Sequence, residues 1–303
     1  MISICIPIYN FKVVDLVKRL SDQALLLDVH SEIILIDDCS DSFFQKQNES
    51  IFKNKIFIQL EKNIGRAAIR NRFINYAKYD NLLFLDCDSV VLSNDFLSQY
   101  VSAIRKHPNS LICGGREYKK VAPKRSEMLR WKYGINRESK PYEIRNLDPN
   151  KSFMTNNFTI SRKIFETVRF DERLVEYGHE DTLFGFELKK RNISIIHIDN
   201  PVLNGYLENN AEYIKKTEKA ISNLTYILEF TNYDKDLIDN IALLRIFYKL
   251  YKARRIIQIM FIILRPMIKY FLTIGCIKLY LFDCYKLGTI TMKFYEHKMR
   301  YDQ

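Results

Sequence analysis

Residues 81–89 read Asn81-Leu82-Leu83-Phe84-Leu85-Asp86-Cys87-Asp88-Ser89, an apolar run that breaks into two carboxylates separated by one residue. A continuous apolar run of this length reads as a strand buried on both faces of a parallel sheet, and the carboxyl end of such a strand is where these sheets bind ligands. Alternate residues of a strand point to one side. Asp86 and Asp88 can therefore face one ligand together, as a hard divalent cation carrying a diphosphate requires. The same pattern also fits a polar turn in which Asp88 caps the next helix, and the string alone does not separate the two readings.

The arrangement upstream supports the first. Met1 to Pro7 is an apolar strand ending in Pro7-Ile8-Tyr9-Asn10, and Glu32 to Ile36 is a second ending in Asp37-Asp38-Cys39-Ser40, with Lys55 to Leu60 as a third. Val13 to Leu26 and Gly65 to Ala77 carry apolar residues at helical spacing, so strand and helix alternate and the fold class is α/β with a mostly parallel sheet. Three strand ends put acidic or polar residues at one edge, which points to a nucleotide-binding domain. The first glycine of the chain is Gly65. The first strand therefore lacks the Gly-rich turn of dinucleotide-binding and P-loop folds, and both classes drop out. A metal held at Asp88, together with Arg66 or Arg70, is another way to meet phosphate charge.

A second constellation is Tyr177-Gly178-His179-Glu180-Asp181-Thr182, just before the helical run Leu183 to Leu188. Glu180 and Asp181 suit a helix start, where the dipole favours negative charge. Gly178 ahead of His179 implies a tight turn, and an acidic pair on such a turn also suits a general base for a hydroxyl nucleophile.

In this order and spacing the strings resemble the family two glycosyltransferases, inverting enzymes with a GT-A type fold, from about Ile2 to Gly205. The resemblance is carried by Pro7 to Asn10, Asp37 to Ser40, Asn63 to Arg66 with Ala68 to Asn71, Asp86 to Asp88, Asn156 to Phe158, and Gly178 to Asp181. It implies a GT-A nucleotide-binding domain with a mixed, mostly parallel sheet, a nucleotide-sugar donor (UDP-sugar as the expected form), and Mn²⁺ or Mg²⁺. Pro7, Tyr9, Asn10 and Asp38 would serve the nucleotide, Asp86 the ribose or donor sugar, Asp88 the metal and Asp181 the catalytic base. Glu180 would hydrogen-bond the acceptor, with an exchange of roles between Glu180 and Asp181 left open. One departure concerns the metal. The family often places a histidine where this chain has Asn204, and an amide oxygen binds Mn²⁺ less well than imidazole, so few protein ligands are expected. His197 is a further candidate ligand, set against its reading as a hydrogen-bonded core histidine.

Arg116 to Ser152 is charged and poor in apolar periodicity, with Trp131, Tyr133 and Tyr142 interspersed. It reads either as an acceptor-lining loop in which Trp131 stacks on a sugar, or as a solvated loop pinned by that residue.

Charge locates an appendage. Residues 241–303 hold twelve Lys and Arg against three Asp and Glu, so nine of the eleven net positive charges lie there. The expected domains are a catalytic body, 1–235, and a basic amphipathic helical region, 236–303. The tail's apolar runs, Ile256 to Leu264 and Phe271 to Ile277, are cut by Arg265, Pro266 and Lys269 and fall short of the roughly 18 residues of a spanning helix. So many large aliphatics favour an anionic membrane surface over nucleic acid, with a packed helical cap as the plainer alternative. The N-terminus shows no signal-peptide pattern. The six cysteines, Cys5, Cys39, Cys87, Cys113, Cys276 and Cys284, form no metal-ligand pairs. A cytoplasmic enzyme, peripheral at the inner face of the plasma membrane and acting on a saccharide or lipid-linked acceptor, is the expectation. Two rivals remain: an inactive nucleotide-binding or membrane scaffold, which Asn204 would suit, and a sugar-nucleotide pyrophosphorylase, which lacks its Gly-rich basic loop here.

Overall fold

The computed structural model describes residues 1–275 and 278–301, so Cys276 and Ile277 of the tail lie outside the described residues. In chain order the elements are β1 (Ile2–Ile8), α1 (Val14–Ala24), β2 (Ser31–Asp37), α2 (Ser42–Asn48), β3 (Ile56–Gln59), α3 (Gly65–Arg72), β4 (Asn81–Leu85), β5 (Ser89–Val90), α4 (Phe96–Lys106), β6 (Leu111–Cys113) and β7 (Arg116–Glu117). There follow α5 (Met128–Tyr133), α6 (Tyr142–Leu147), β8 (Asn157–Ser161), α7 (Arg162–Thr167), α8 (Glu180–Lys190), β9 (Ile195–His197) and β10 (Val202–Asn204). The chain ends in α9 (Asn210–Phe230), α10 (Lys235–Asn240), α11 (Ala242–Lys249), α12 (Arg254–Thr273) and α13 (Leu279–Tyr301).

Seven strands form one sheet in the order β3-β2-β1-β4-β8-β6-β9. The first four are parallel, and β8 runs antiparallel between β4 and β6. This is the α/β, GT-A type architecture with a mixed, largely parallel sheet that the sequence implied. Both faces are covered, which is why the strands read as unbroken apolar runs. Ile4, Ile6, Leu35, Leu83 and Leu85 pack toward Leu16, Val17 and Leu20 of α1 and Phe96 of α4. The alternate residues Cys5, Ile34, Ile36 and Phe84 pack toward Phe158, Phe165 and Phe184. The chain leaves β1 outward to β2 and β3 and then returns to β4, so the switch in strand order falls between β1 and β4. The crevice beyond such paired carboxyl ends is the usual ligand site.

Two compact units emerge: residues 1–119, 137–175 and 180–206 in one, and 120–136, 176–179 and 207–303 in the other. This differs from the expected division at 235. Helix α9 joins the helical unit because Ile221, Leu224 and Leu228 pack with Leu244, Phe247 and Ile290. A second cluster in that unit gathers Leu129, Tyr213, Ile214, Phe261, Ile268, Leu272, Phe282 and Tyr285.

Two further expectations are corrected. Arg116 to Ser152 is not an open loop, since it contains β7, α5, a π turn over Gly134–Glu138 and α6. These are short segments fixed by tertiary contact rather than by their own periodicity. Leu129 is buried in the helical unit's core, and the buried Arg145 donates to the carbonyls of Cys113, Gly114 and Ile198. The first apolar run of the tail and the start of the second, residues 271–273, are not separate either: α12 is continuous over 20 residues with Pro266 inside it on the exposed side.

Candidate functional site

The ends of β1 and β2 are tied together by their loops. Asn10, at φ 48°, accepts from the Asp41 amide at 2.8 Å and its own N–H donates to Ser40 Oγ at 2.8 Å. Tyr9, the residue just after β1, has 53% of its surface exposed and is available to a flat ligand. Asp38 is buried and accepts from the Ile64 and Gly65 amides at 2.7 and 3.2 Å. Burial raises its pKa, and those two N–H groups offset part of the rise. Asp38 therefore braces the start of α3. Gly65 sits at φ 84°, and a Cβ there would lie 3.2 Å from the Val175 carbonyl, so this turn is restricted to glycine on two counts.

From that braced start, α3 projects Arg66 and Arg70 toward the end of β4. Arg70 is 1% exposed, and its Nη2 lies 2.6 Å from Asp86 Oδ1. Arg66 reaches Asp86 Oδ2 at 3.2 Å with one nitrogen and Glu180 Oε1 at 3.0 Å with another. Arg116 approaches Asp86 Oδ2 at 3.5 Å. Burial alone would raise the Asp86 pKa, but the three guanidinium groups outweigh it and hold the carboxyl below its ordinary value. Sequence reasoning missed Arg116. It arrives through the pairing of β7 with β10, in which Arg116 faces Val202, and no local pattern announces a two-residue strand.

Asp88 follows one residue on. Its carbonyl accepts from the Gly205 amide at 2.8 Å, and Ser89 pairs with Asn204 across β5 and β10. A Cβ on Gly205 would stand 2.6 Å from that carbonyl, so only glycine permits the approach. The Asn204 Nδ2 donates to the Tyr206 carbonyl, leaving Oδ1 as the atom of that amide suited to a cation. Asp88, in the turn just before β5, and Asn204, on the neighbouring β10, thus offer two hard oxygens, a donor set that fits Mg²⁺ or Mn²⁺ completing its shell with diphosphate oxygens and water. Among the described residues no three His, Cys, Asp or Glu side chains gather to hold a metal. Cys87, between the two aspartates, has its thiol pushed up to about 12 by burial and by the carboxylates beside it, so it is an inert spacer.

His197 is not a metal ligand in this arrangement. Its Nε2 faces the Pro149 carbonyl at 3.0 Å and its Nδ1 lies 2.7 Å from Arg145 Nη1, so Nε2 carries the proton and Nδ1 accepts. Burial lowers its pKa to about 4, with the Arg145 charge acting in the same direction. Trp131 lies on α5 in the helical unit.

Glu180 and Asp181 open α8, as the sequence suggested, after Gly178 at φ 103° and His179 at φ 67°. Glu180 is 6% exposed and committed to Arg66. Asp181 Oδ1 accepts from the Thr182 amide at 2.7 Å. Burial, followed by the neighbouring Glu180 charge, raises the Asp181 pKa to about 6, which poises it between proton acceptor and donor near neutrality. A last residue escaped the sequence reading as a site group. Asn156 is 2% exposed with neither side-chain amide atom bonded within the protein, while its carbonyl accepts from the Asp86 amide at 3.0 Å. A buried amide left bare costs roughly 1–3 kcal/mol, and a polar ligand at the Asp86 edge would recover it.

The family profile described as glycosyl transferase family 2 matches residues 3–169. An uncharacterized glycosyltransferase of Bacillus subtilis (strain 168), YfnE, is 24% identical over 260 residues, covering 66% of this chain and 65% of the relative. The chain thus spans just under two thirds of that relative's length. Among solved structures, the mannosyltransferase PcManGT from Pyrobaculum calidifontis, in complex with GDP-Man and Mn²⁺, superposes with a TM-score of 0.60 at 13% identity, over 98% of this chain and 87% of its own. S. aureus TarS 1–349 in complex with UDP gives a TM-score of 0.54 at 15% identity, over 100% of this chain and 92% of its own. At these identities the two structures share the fold.

Proposed function

The chain belongs to glycosyl transferase family 2, and from that premise we propose that it is an inverting, metal-dependent hexosyltransferase moving a sugar from a nucleotide-sugar, in the first instance a UDP-sugar, to a hydroxyl of a saccharide or lipid-linked acceptor. The observation that carries this reading is Arg66, whose guanidinium bridges Asp86 at the end of β4 to Glu180 at the start of α8. The bridge puts the carboxylates assigned to donor and acceptor within one site.

In the proposed reaction the acceptor oxygen attacks the anomeric carbon on the face opposite the diphosphate. The new C–O bond forms as the old one to the leaving group breaks, inverting the configuration, and the hydroxyl proton passes to Asp181. A base held at about 6 is largely ionised at neutral pH and still able to take that proton. Glu180, held in place by Arg66, orients the acceptor hydroxyl. Tyr9 and the braced loops of Asn10 and Asp38 hold the nucleoside. Arg66, the more exposed of the two α3 arginines, meets phosphate charge, while the buried Arg70 keeps Asp86 in place. Asp88 and Asn204 would hold a Mn²⁺ or Mg²⁺ ion, which supplies charge neutralisation for the departing nucleoside diphosphate. Trp131 is proposed as an acceptor contact. We place the enzyme in the cytoplasm, peripheral at the inner face of the plasma membrane.

A panel of nucleotide-sugars incubated with the protein and Mn²⁺, read by release of nucleoside diphosphate, tests the proposal. One donor should be turned over, and Asp88→Asn and Asp181→Asn should each abolish that turnover. A protein that binds a nucleoside diphosphate yet turns over no member of the panel, with or without saccharide acceptors, would leave only the scaffold reading.

A further inference from the structure

Helix α12 presents two unlike faces. Phe261, Ile268 and Leu272 point into the helical unit's core beside Tyr213, Ile214, Phe282 and Tyr285. Opposite them Ile256, Ile259, Met260, Ile263, Met267 and Tyr270 are each more than half exposed, Ile263 at 70%. Their spacing, at i, i+3, i+4, i+7, i+11 and i+14, makes one continuous stripe along a helix about 30 Å long. Soluble surfaces rarely leave so much contiguous apolar area uncovered.

The cations of α12 do not lie on that stripe. Arg265 and Lys269 turn toward α9, where both meet Glu218 Oε1, at 3.1 and 3.3 Å, and the Tyr285 hydroxyl donates to the same oxygen. The exposed basic groups sit at the helix ends: Arg245, Lys249, Lys252 and Arg255 before or at its start, and Lys278 after it. No Asp or Glu occurs between Ile241 and Phe282.

We propose that the exposed stripe of α12 is a bilayer-docking face, inserted parallel to the membrane plane among acyl chains while the flanking lysines and arginines meet anionic headgroups. The inference rests on the peripheral placement proposed above and gives it a structural element. Charge chooses the occupant. Two copies of this face would bring like charges together at both ends, whereas an anionic lipid surface complements them. The packing chooses the orientation. Tyr251–Thr273 is the one stretch among the described residues long and apolar enough to cross a bilayer. Its inner face, however, is joined to α9, which carries Lys215, Lys216, Glu218 and Lys219, and a spanning α12 would draw those charges into hydrocarbon. Lying in the plane leaves them in water. Because the contact surface is apolar and its cations are peripheral, salt should weaken the attachment without abolishing it.

The test uses the full chain with preformed vesicles of phosphatidylcholine, with and without phosphatidylglycerol. The protein should sediment with the mixed vesicles, less with the neutral ones, and only partly leave the mixed vesicles in about 1 M NaCl. Ile259→Asp/Ile263→Asp, both on the exposed stripe, should cut the bound fraction about tenfold or more while thermal unfolding and nucleotide binding stay unchanged. A C-terminal affinity tag should remain open to a protease added outside the vesicles, since both ends of α12 stay on one side. Failure of the parent protein to bind any vesicle, undiminished binding by the double variant, or protection of the tag would each overturn the proposal. A concentration-dependent dimer in solution that the double variant abolishes would assign the stripe to a second copy and overturn it equally. Nucleoside diphosphate binding measured without vesicles shows separately whether the catalytic reading holds.

Discussion

Asp181 offers the sharpest test of the site, because its environment fixes both a rate effect and a pH. Burial and the Glu180 charge raise its pKa to about 6, so about nine-tenths of the carboxyl is ionised at pH 7 and about one-tenth at pH 5. If the ionised form is the base, kcat/KM should fall about tenfold across that interval, on an acid limb centred near 6. Asp181→Asn should lower turnover by about 10² or more, leave nucleotide affinity nearly intact, and erase the limb from whatever activity remains. Glu180→Gln removes the adjacent like charge and should move the limb to lower pH. Stability should respond with the opposite sign to activity. The folded carboxyl keeps its proton to higher pH than the unfolded one, so the folded state binds more protons between about pH 4 and 6, and stability is lost as pH rises through that window. Asp181→Asn cannot ionise. It should therefore be more stable than the parent above pH 6, by at most about 3 kcal/mol because the side chain is partly exposed, and should show no such gain at pH 4. Steady-state rates from pH 4.5 to 8.5 and thermal unfolding at the two pH extremes suffice. An acid limb at an ordinary carboxylate pH, or one that survives in Asp181→Asn, refutes the assignment. Loss of turnover in Glu180→Gln alone would exchange the two roles.

Asp88→Asn should abolish the Mn²⁺-dependent part of nucleoside diphosphate binding in calorimetry while metal-free nucleoside binding is kept; an unchanged metal dependence would remove Asp88 from the cation. Arg70→Met leaves Asp86 with a weaker set of partners in a buried place, and denaturant unfolding should report a loss of about 3–5 kcal/mol, whereas Arg66→Met, at a more exposed guanidinium, should cost less stability and much turnover. Asn156→Leu deletes a buried amide that has no protein partner, so melting temperature should hold or rise while transfer falls; a variant with full activity would show that the amide meets no ligand. The His197 ring should stay neutral with its proton on Nε2 from pH 5 to 8 in NMR titration, since burial holds it near 4.

The strands and the polar groups at their ends were legible because they are local. An apolar run buried on both faces cannot be mistaken for an amphipathic helix once a carboxylate pair ends it, and β2 and β4 show that pattern, while β1 ends instead in the polar pair Tyr9-Asn10. Glu180 and Asp181 were legible for the same reason, as an acidic helix start behind Gly178. What eluded the sequence is what pairing at long range creates. Arg116 joins Asp86 only because β7 is laid beside β10, some 85 residues later, and Arg145 crosses to His197 from a segment without apolar rhythm. The tail read correctly as basic and helical, but the continuity of α12 was missed through its polar interruptions. Arg265 and Lys269 break the hydropathy of α12 on paper, but in space they turn inward to Glu218 and leave the opposite face unbroken.

The place of β8 in the sheet carries a consequence for how the chain is made. Strands β1 to β4 can pair among themselves once residue 85 has left the ribosome, which assembles the loops assigned to the nucleotide. The next strand to pair with β4 is β8, and β6 also has no neighbour until β8 arrives. At synthesis speeds of about 5–20 residues per second the nascent domain therefore shows an open, largely apolar β4 edge for about 4–14 s. An edge of that kind recruits other strands. Asn157–Ser161 is thus both a structural strand and the closing piece whose late synthesis makes the half-built sheet a natural substrate for chaperones.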